Sequence, residues 1–190
     1  MSYYIFDQFL YPALLVPPCN LTFSDQYAFR PTGSTTAVLV QLFHTVTELL
    51  SDHPYVVVIA LDFSKAFDTV RHLTVLQKLA SLDIPDCVYN WLVDYFSGHS
   101  HCTAFHGQIS FLLNISASII QGSAVGPVLY VVNAGDLIPG NRFCKYADDT
   151  YLVIPAINID SRTEELDSIR TWASTNNLKL NIKKLSLIHI

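Results

Sequence analysis

The chain has 190 residues, enough for one well-filled core and too few for two, so a single domain or a piece of a larger one is expected. Hydrophobic residues make up 51% and charged residues only 14%, a balance that suits a buried sheet or a fragment missing its covering parts. A formal net charge of -5 argues against a protein that holds nucleic acid by charge alone, so any such role must rest on a specific site. Cys19, Cys87, Cys102 and Cys144 form no C-x-x-C pair and have no matching His spacing for a zinc site, so free thiols in a reducing compartment are the preferred reading.

Met1 to Leu15 is apolar but lacks a basic leader and carries Asp7, so it reads as a core helix and not as a signal peptide. No apolar run reaches the roughly eighteen residues needed to cross a bilayer. A soluble intracellular protein, in nucleus or cytoplasm, with no membrane partner is therefore expected. From Ser34, an N-cap, Val38, Leu39, Leu42, Val46, Leu49 and Leu50 recur at helical spacing until Ser51 to Pro54. Tyr55 to Leu61 is a β-branched run that predicts a strand buried on both faces, delivering Asp62 to its end. Leu73, Leu76 and Leu79 mark the next helix. Asp86, after Pro85, caps another that carries Val88, Trp91, Leu92, Tyr95 and Phe96 on one face and stops at Gly98.

Cys102 to Phe105 and Ile109 to Ile115 pair as a hairpin joined at Gly107-Gln108. Pro127 opens a helical segment with Val128, Leu129 and Val132. Phe143 to Ile154 predicts a second hairpin, with Asp148, Asp149 and Thr150 at or near its tip. Ser161 and Glu164 form a capping-box pattern for a helix bearing Leu166, Ile169 and Trp172 that closes at Asn176-Asn177; strands at Leu178 to Leu180 and Leu185 to Ile190 follow. The whole reads as one α+β unit, a mainly antiparallel sheet with helices on one face.

Asp62, Asp148 and Asp149 stand out by placement. Acids at the ends of neighbouring central strands converge, and divalent cations relieve their repulsion. A pair of Mg²⁺ ions so held lowers the pKa of an attacking hydroxyl and neutralises the leaving group, which points to nucleotidyl transfer. Singly, the signals are weak: an Asp-Asp pair is more often a solvated hairpin tip, and Asp62 alone reads equally well as a helix or turn cap.

Their neighbours change that balance. LDFSKAFD (Leu61 to Asp68), QGSAVGP (Gln121 to Pro127) and KYADD (Lys145 to Asp149) occur in succession, FRPTGSTT (Phe29 to Thr36) precedes them and NNLKLNIKK (Asn176 to Lys184) follows. The series resembles the palm of reverse transcriptases of the non-LTR (LINE-type) retrotransposons, from about Ser24 onward. The resemblance implies an RNA-directed DNA polymerase that adds deoxynucleoside triphosphates to a DNA primer on an RNA template with two Mg²⁺, Mn²⁺ being the alternative metal. It implies a polymerase palm-like antiparallel sheet packed against helices over residues 55–190, with partial fingers in 1–54 and no thumb. It assigns the metals to Asp62, Asp148 and Asp149 with the Phe63 carbonyl. Phe67 becomes an aromatic gate against the sugar 2′-hydroxyl, where an ordinary core Phe is the plain reading. Gln121 and Gly122 become the turn that meets nucleotide and template. Lys184 becomes a general acid for the pyrophosphate, with a surface lysine as the plain reading and Lys183 as its competitor. Lys65 and Arg30 receive no catalytic part.

Several positions depart from the family pattern: Ile120 stands where a Pro is usual, Leu185 where a Thr is usual, and Gly135 falls in a helical stretch at a cost of about 1 kcal/mol relative to Ala. RNA-templated RNA synthesis is disfavoured by Ala147 and Phe67. The alternative to a polymerase is a catalytically inactive truncated remnant or a palm-derived binding module.

Overall fold

In the computed structural model, which describes residues 6–30, 33–119, 123 and 125–190, the apolar N-terminal stretch is helical over Phe6 to Leu15. A π-helical turn at Phe6–Leu10 runs into α1 (Tyr11–Leu15), which buries Ala13 and Leu14. α2 (Thr35–Asp52) begins where Ser34 Oγ accepts the Ala37 N–H at 3.0 Å, satisfying a first-turn donor that has no partner within the helix. β1 (Val56–Leu61), β2 (Phe63–Ser64), α3 (Ala66–Thr69), α4 (His72–Leu79) and α5 (Asp86–Phe96) follow. Asp86 is the first residue of α5 and not its cap; Pro85 holds the cap position without a side-chain bond. An acid in the first turn still favours the helix by its charge.

Four short strands form a nested hairpin, β3 (Ser100–His101) pairing β6 (Leu113–Asn114) and β4 (Ala104–Phe105) pairing β5 (Gln108–Ile109). The turn is His106-Gly107, one residue earlier than the sequence suggests, because both residues take positive φ (48° and 77°), as a two-residue hairpin turn that follows the strand twist requires. α6 (Gly126–Asn133), β7 (Arg142–Tyr146), β8 (Asp149–Pro155), a 3-10 turn (Ala156–Ser161), α7 (Arg162–Thr175), β9 (Lys179–Leu180), a 3-10 turn (Ile182–Lys184) and β10 (Ser186–His189) complete the chain.

The main sheet has the order β10-β1-β8-β7, and all its pairings are antiparallel. β1 is central, and alternation splits its side chains. Val56 and Val58 join Val46 of α2 and Val153 of β8 in one apolar cluster. Val57, Ile59 and Leu61 face the larger core, with Leu152, Ile154 and the buried residues of α4, α5, α6 and α7. Helices therefore cover both faces, where the sequence suggests one. A strand whose consecutive valines are all buried needs apolar cover on either side.

Two further expectations are corrected. The capping box at Ser161 does not form, because the 3-10 turn runs directly into α7 and leaves Ser161 in helical conformation, its hydroxyl donating to the Asn158 carbonyl at 2.8 Å. Gly135 lies beyond the end of α6, so it carries no helix-interior cost. A Cβ there would come within 2.5 Å of the Phe23 ring, which packs in the space the glycine leaves. α7 does close as expected, with Asn177 in the left-handed region at φ 59°. All four cysteines are free, and among the described residues no helix is long and apolar enough to cross a membrane.

Candidate active site

β1 and β8 run antiparallel with Leu61 opposite Thr150, so the end of β1 and the start of β8 meet at one rim of the sheet. β1 delivers Asp62 there, and the β7–β8 turn, Ala147-Asp148, delivers Asp148 and then Asp149. Beyond Asp62 the chain pairs with β9, Phe63 opposite Leu180 and Ser64 opposite Lys179, and Phe63 packs edge-on against Trp172 at 5.8 Å between ring centroids. Sheet register thus places these acids with no help from long loops.

Asp62, Phe63, Phe67, Asp148 and Lys184 line one cleft of about 480 Å³. Asp149 lies on a smaller adjoining cavity of about 180 Å³, shared with Asp62 and Lys184. Asp62 is the hinge of the arrangement. Its Oδ1 is 3.3 Å from Lys184 Nζ, its Oδ2 accepts from Asn181 Nδ2 at 2.8 Å, and its backbone carbonyl accepts from the Asn181 N–H at 2.8 Å. The Lys184 side chain is 68% exposed, so this pair is worth about 0 to 1 kcal/mol and yields readily to a competing cation. Asp148 is half-buried. Burial holds its carboxyl above the ordinary carboxylate range, Asp149 and Asp62 push it further, and a backbone hydrogen bond and Lys184 pull it back.

Phe67 stacks on Tyr130 at 4.5 Å and 25°, which gives the cleft a stiff aromatic wall. Tyr130 is 1% exposed, and burial, with Asp148 and Asp149 adding to it, drives its hydroxyl far up. The Ile119 N–H donates to the Phe67 carbonyl at 2.8 Å, and the Ser118 N–H to the Val70 carbonyl at 2.8 Å, so the strand of chain leading to residue 120 is tied to the Phe67 turn. Gln121 and Gly122, with Ile120, lie outside the described residues, as do Pro31 and Thr32 of the FRPTGSTT stretch. Arg30 has a structural part: its Nη1 donates to the carbonyls of Phe23 at 2.7 Å and Gln26 at 3.2 Å.

Among the described residues no three His, Cys, Asp or Glu side chains are gathered into a group that could hold a metal ion. The donor chemistry nonetheless fits a hard divalent cation. The acids offer oxygen alone, Asp148 is raised by burial and further by the carboxylates of Asp149 and Asp62, and the positive charge standing beside Asp62 is the exposed ammonium of Lys184. Sequence reasoning missed Asn181, Tyr130 and Gln26. Asn181 lies inside NNLKLNIKK but nothing distinguishes it there from other asparagines; Tyr130 reads only as an apolar helix position; Gln26 has no local signal at all.

Residues 5–189 match the model of the family described as reverse transcriptase (RNA-dependent DNA polymerase). The chain is 28% identical over 173 residues to the RNA-directed DNA polymerase from mobile element jockey of Drosophila melanogaster, covering 84% of this chain and 19% of that protein. It is 27% identical over 173 residues to the probable RNA-directed DNA polymerase from transposon BS of the same species, with the same coverage. The chain thus spans about a fifth of the length of these relatives. In fold it is similar to the telomerase of Candida tropicalis in complex with the TWJ fragment of telomeric RNA, with TM-score 0.73, 10% identity, and coverage of 98% of this chain and 35% of that one. A telomerase from Candida albicans gives TM-score 0.72 at 11% identity, covering 98% of this chain and 36% of that one.

Proposed function

Because the chain belongs to the reverse transcriptase (RNA-dependent DNA polymerase) family, we propose that the cleft at the end of β1 is the nucleotidyl-transfer site of an RNA-directed DNA polymerase. The observation that carries this reading is the convergence of Asp62 and Asp148 on one cleft from adjacent antiparallel strands, with Asp149 beside them across Asp62. Asp62, Asp148, Asp149 and the Phe63 carbonyl are the groups that would hold two Mg²⁺ ions. Bound there, the ions supply activation of the primer 3′-hydroxyl and neutralisation of the leaving pyrophosphate.

The remaining parts are the chain's own. Phe67, stacked on the buried Tyr130, presents its ring to the cleft, where its bulk would disfavour a 2′-hydroxyl and select deoxynucleoside triphosphates. Lys184 Nζ, exposed at the same cleft and 3.3 Å from Asp62 Oδ1, would donate a proton to the pyrophosphate oxygen. Gln121 and Gly122 meet the nucleotide and template by the family resemblance, which also assigns the RNA template and DNA primer as partners. Primer extension on poly(rA)/oligo(dT) with Mg²⁺, with Asp148→Ala as the blank, tests the reading. Incorporation well above the blank is expected. Incorporation equal to it sinks the polymerase reading for this chain and favours a binding module.

A further inference from the structure

The turn that carries Asp148 is held by a side chain from near the start of the sequence. Segment 25–27 lies alongside β7: the Lys145 N–H donates to the Asp25 carbonyl at 2.7 Å, and the Tyr27 N–H donates to the Lys145 carbonyl at 2.8 Å, a parallel bridge between Gln26 and Lys145. The platform is fixed further by Lys145, 1% exposed, whose Nζ is 2.9 Å from Asp25 Oδ2 and donates to the Leu137 carbonyl at 2.8 Å. Gln26, 2% exposed, reaches from there to Ala147. Its Oε1 accepts from the Ala147 N–H at 2.9 Å and from the Ala28 N–H at 2.9 Å, and its Nε2 donates to the Ala147 carbonyl at 3.3 Å.

One carboxamide therefore grips both backbone polar groups of a single residue, and that residue is strained. Tyr146 faces Asp149 across a two-residue turn in which Ala147 has φ 56°, while Asp148 is not in the positive region. A hairpin turn with positive φ at its first central position alone ordinarily has Gly there. Ala lacks that freedom and needs an external hold. The torsions of Ala147 set the direction in which the next residue leaves the turn, and the next residue is Asp148.

We propose that Gln26 is a positioning residue for the active site: it clamps Ala147 in the left-handed conformation and thereby aims the Asp148 carboxylate into the cleft it shares with Asp62. The inference rests on Asp148 being a divalent-cation ligand. It is tested on the full chain by Mn²⁺ binding, read from the electron paramagnetic resonance signal of free Mn²⁺, for wild type, Asp148→Ala, Gln26→Met and Gln26→Met with Ala147→Gly. Partners behind a metal ligand typically change affinity by about tenfold or more, so Gln26→Met is expected to bind Mn²⁺ about tenfold more weakly than wild type. Ala147→Gly, which removes the need for a clamp, is expected to restore most of that loss. A merely structural glutamine gives no such rescue. Where Gln26→Met does not fold, Gln26→Asn, which keeps the amide and shortens its reach, decides in the same way. Unchanged affinity in a variant with native near-ultraviolet circular dichroism, or weakened affinity that Ala147→Gly leaves unrescued, overturns the proposal. Wild-type binding no stronger than that of Asp148→Ala overturns the metal-site reading itself, and this inference with it.

Discussion

Asp148 costs more to ionise in the folded chain than in the unfolded one, chiefly through burial and secondly through its acidic neighbours Asp149 and Asp62. A carboxyl raised in this way keeps its proton longer in the native state, so the native state binds more protons than the unfolded state once pH rises past the ordinary value of 3.8. Stability contributed at low pH is then lost as pH climbs from there through the raised native value. Asp148→Asn, which cannot ionise, is expected to melt higher than wild type at pH 7 and to show a flatter dependence between pH 4 and 7. Thermal melts across that range check it, and parallel curves for the two proteins would remove Asp148 as a source of strain. Gly135 makes a separate demand. A methyl group there meets a rigid Phe23 ring at 2.5 Å, and overpacking of this kind costs about 1 to 3 kcal/mol, so Gly135→Ala is expected to lower the urea midpoint accordingly.

At the scale of elements, the sharpest contrast lies between two residues that the apolar pattern nominates equally. Ile59 in β1 is 2% exposed and sits in the main core, whereas Leu73 in α4 is 67% exposed. Ile59→Ala is expected to destabilise by about 2 to 5 kcal/mol. Leu73→Ala is expected to stay within about 0.5 kcal/mol, and chemical denaturation of the two variants separates them. The helical period is legible in the sequence, but which residues of a short helix turn inward is set by its neighbours; α4 buries His72, Val75 and Leu79 against α5 and α6. β1 and the β7–β8 hairpin were legible because a β-branched run and two apolar arms have few alternatives. The second layer was not, since α2 packs on the back of the sheet through contacts far apart in sequence. For the site, strand ends made Asp62, Asp148 and Asp149 readable. The hold of Asn181 on Asp62 and of Gln26 on Ala147 depends on tertiary pairing that no local spacing records.

Over the whole molecule, about half of the sequence's positive charge is engaged by other groups of the fold, partly in buried bonds and partly in exposed pairs. Of its eleven Lys and Arg, Arg30 bonds backbone carbonyls, Lys78 and Lys145 are bound to Asp136 and Asp25, and Arg142, Arg170 and Lys184 pair with Glu48, Asp167 and Asp62. Among the described residues that leaves Lys65, Arg71, Arg162, Lys179 and Lys183 to meet phosphate, and Arg71 also donates to Asn177. Each phosphate contact steepens the dependence of log affinity on log salt by about 0.9 on a duplex. An RNA–DNA hybrid bound by this chain is therefore expected to show a slope no steeper than about -4.5, and a net charge of -5 is expected to keep the affinity weak at physiological salt. Fluorescence anisotropy between 50 and 200 mM salt measures the slope. A value well beyond that limit would mean that the ion pairs open on binding, and Lys184, the most exposed of the paired cations, would be the first to test by Lys184→Met.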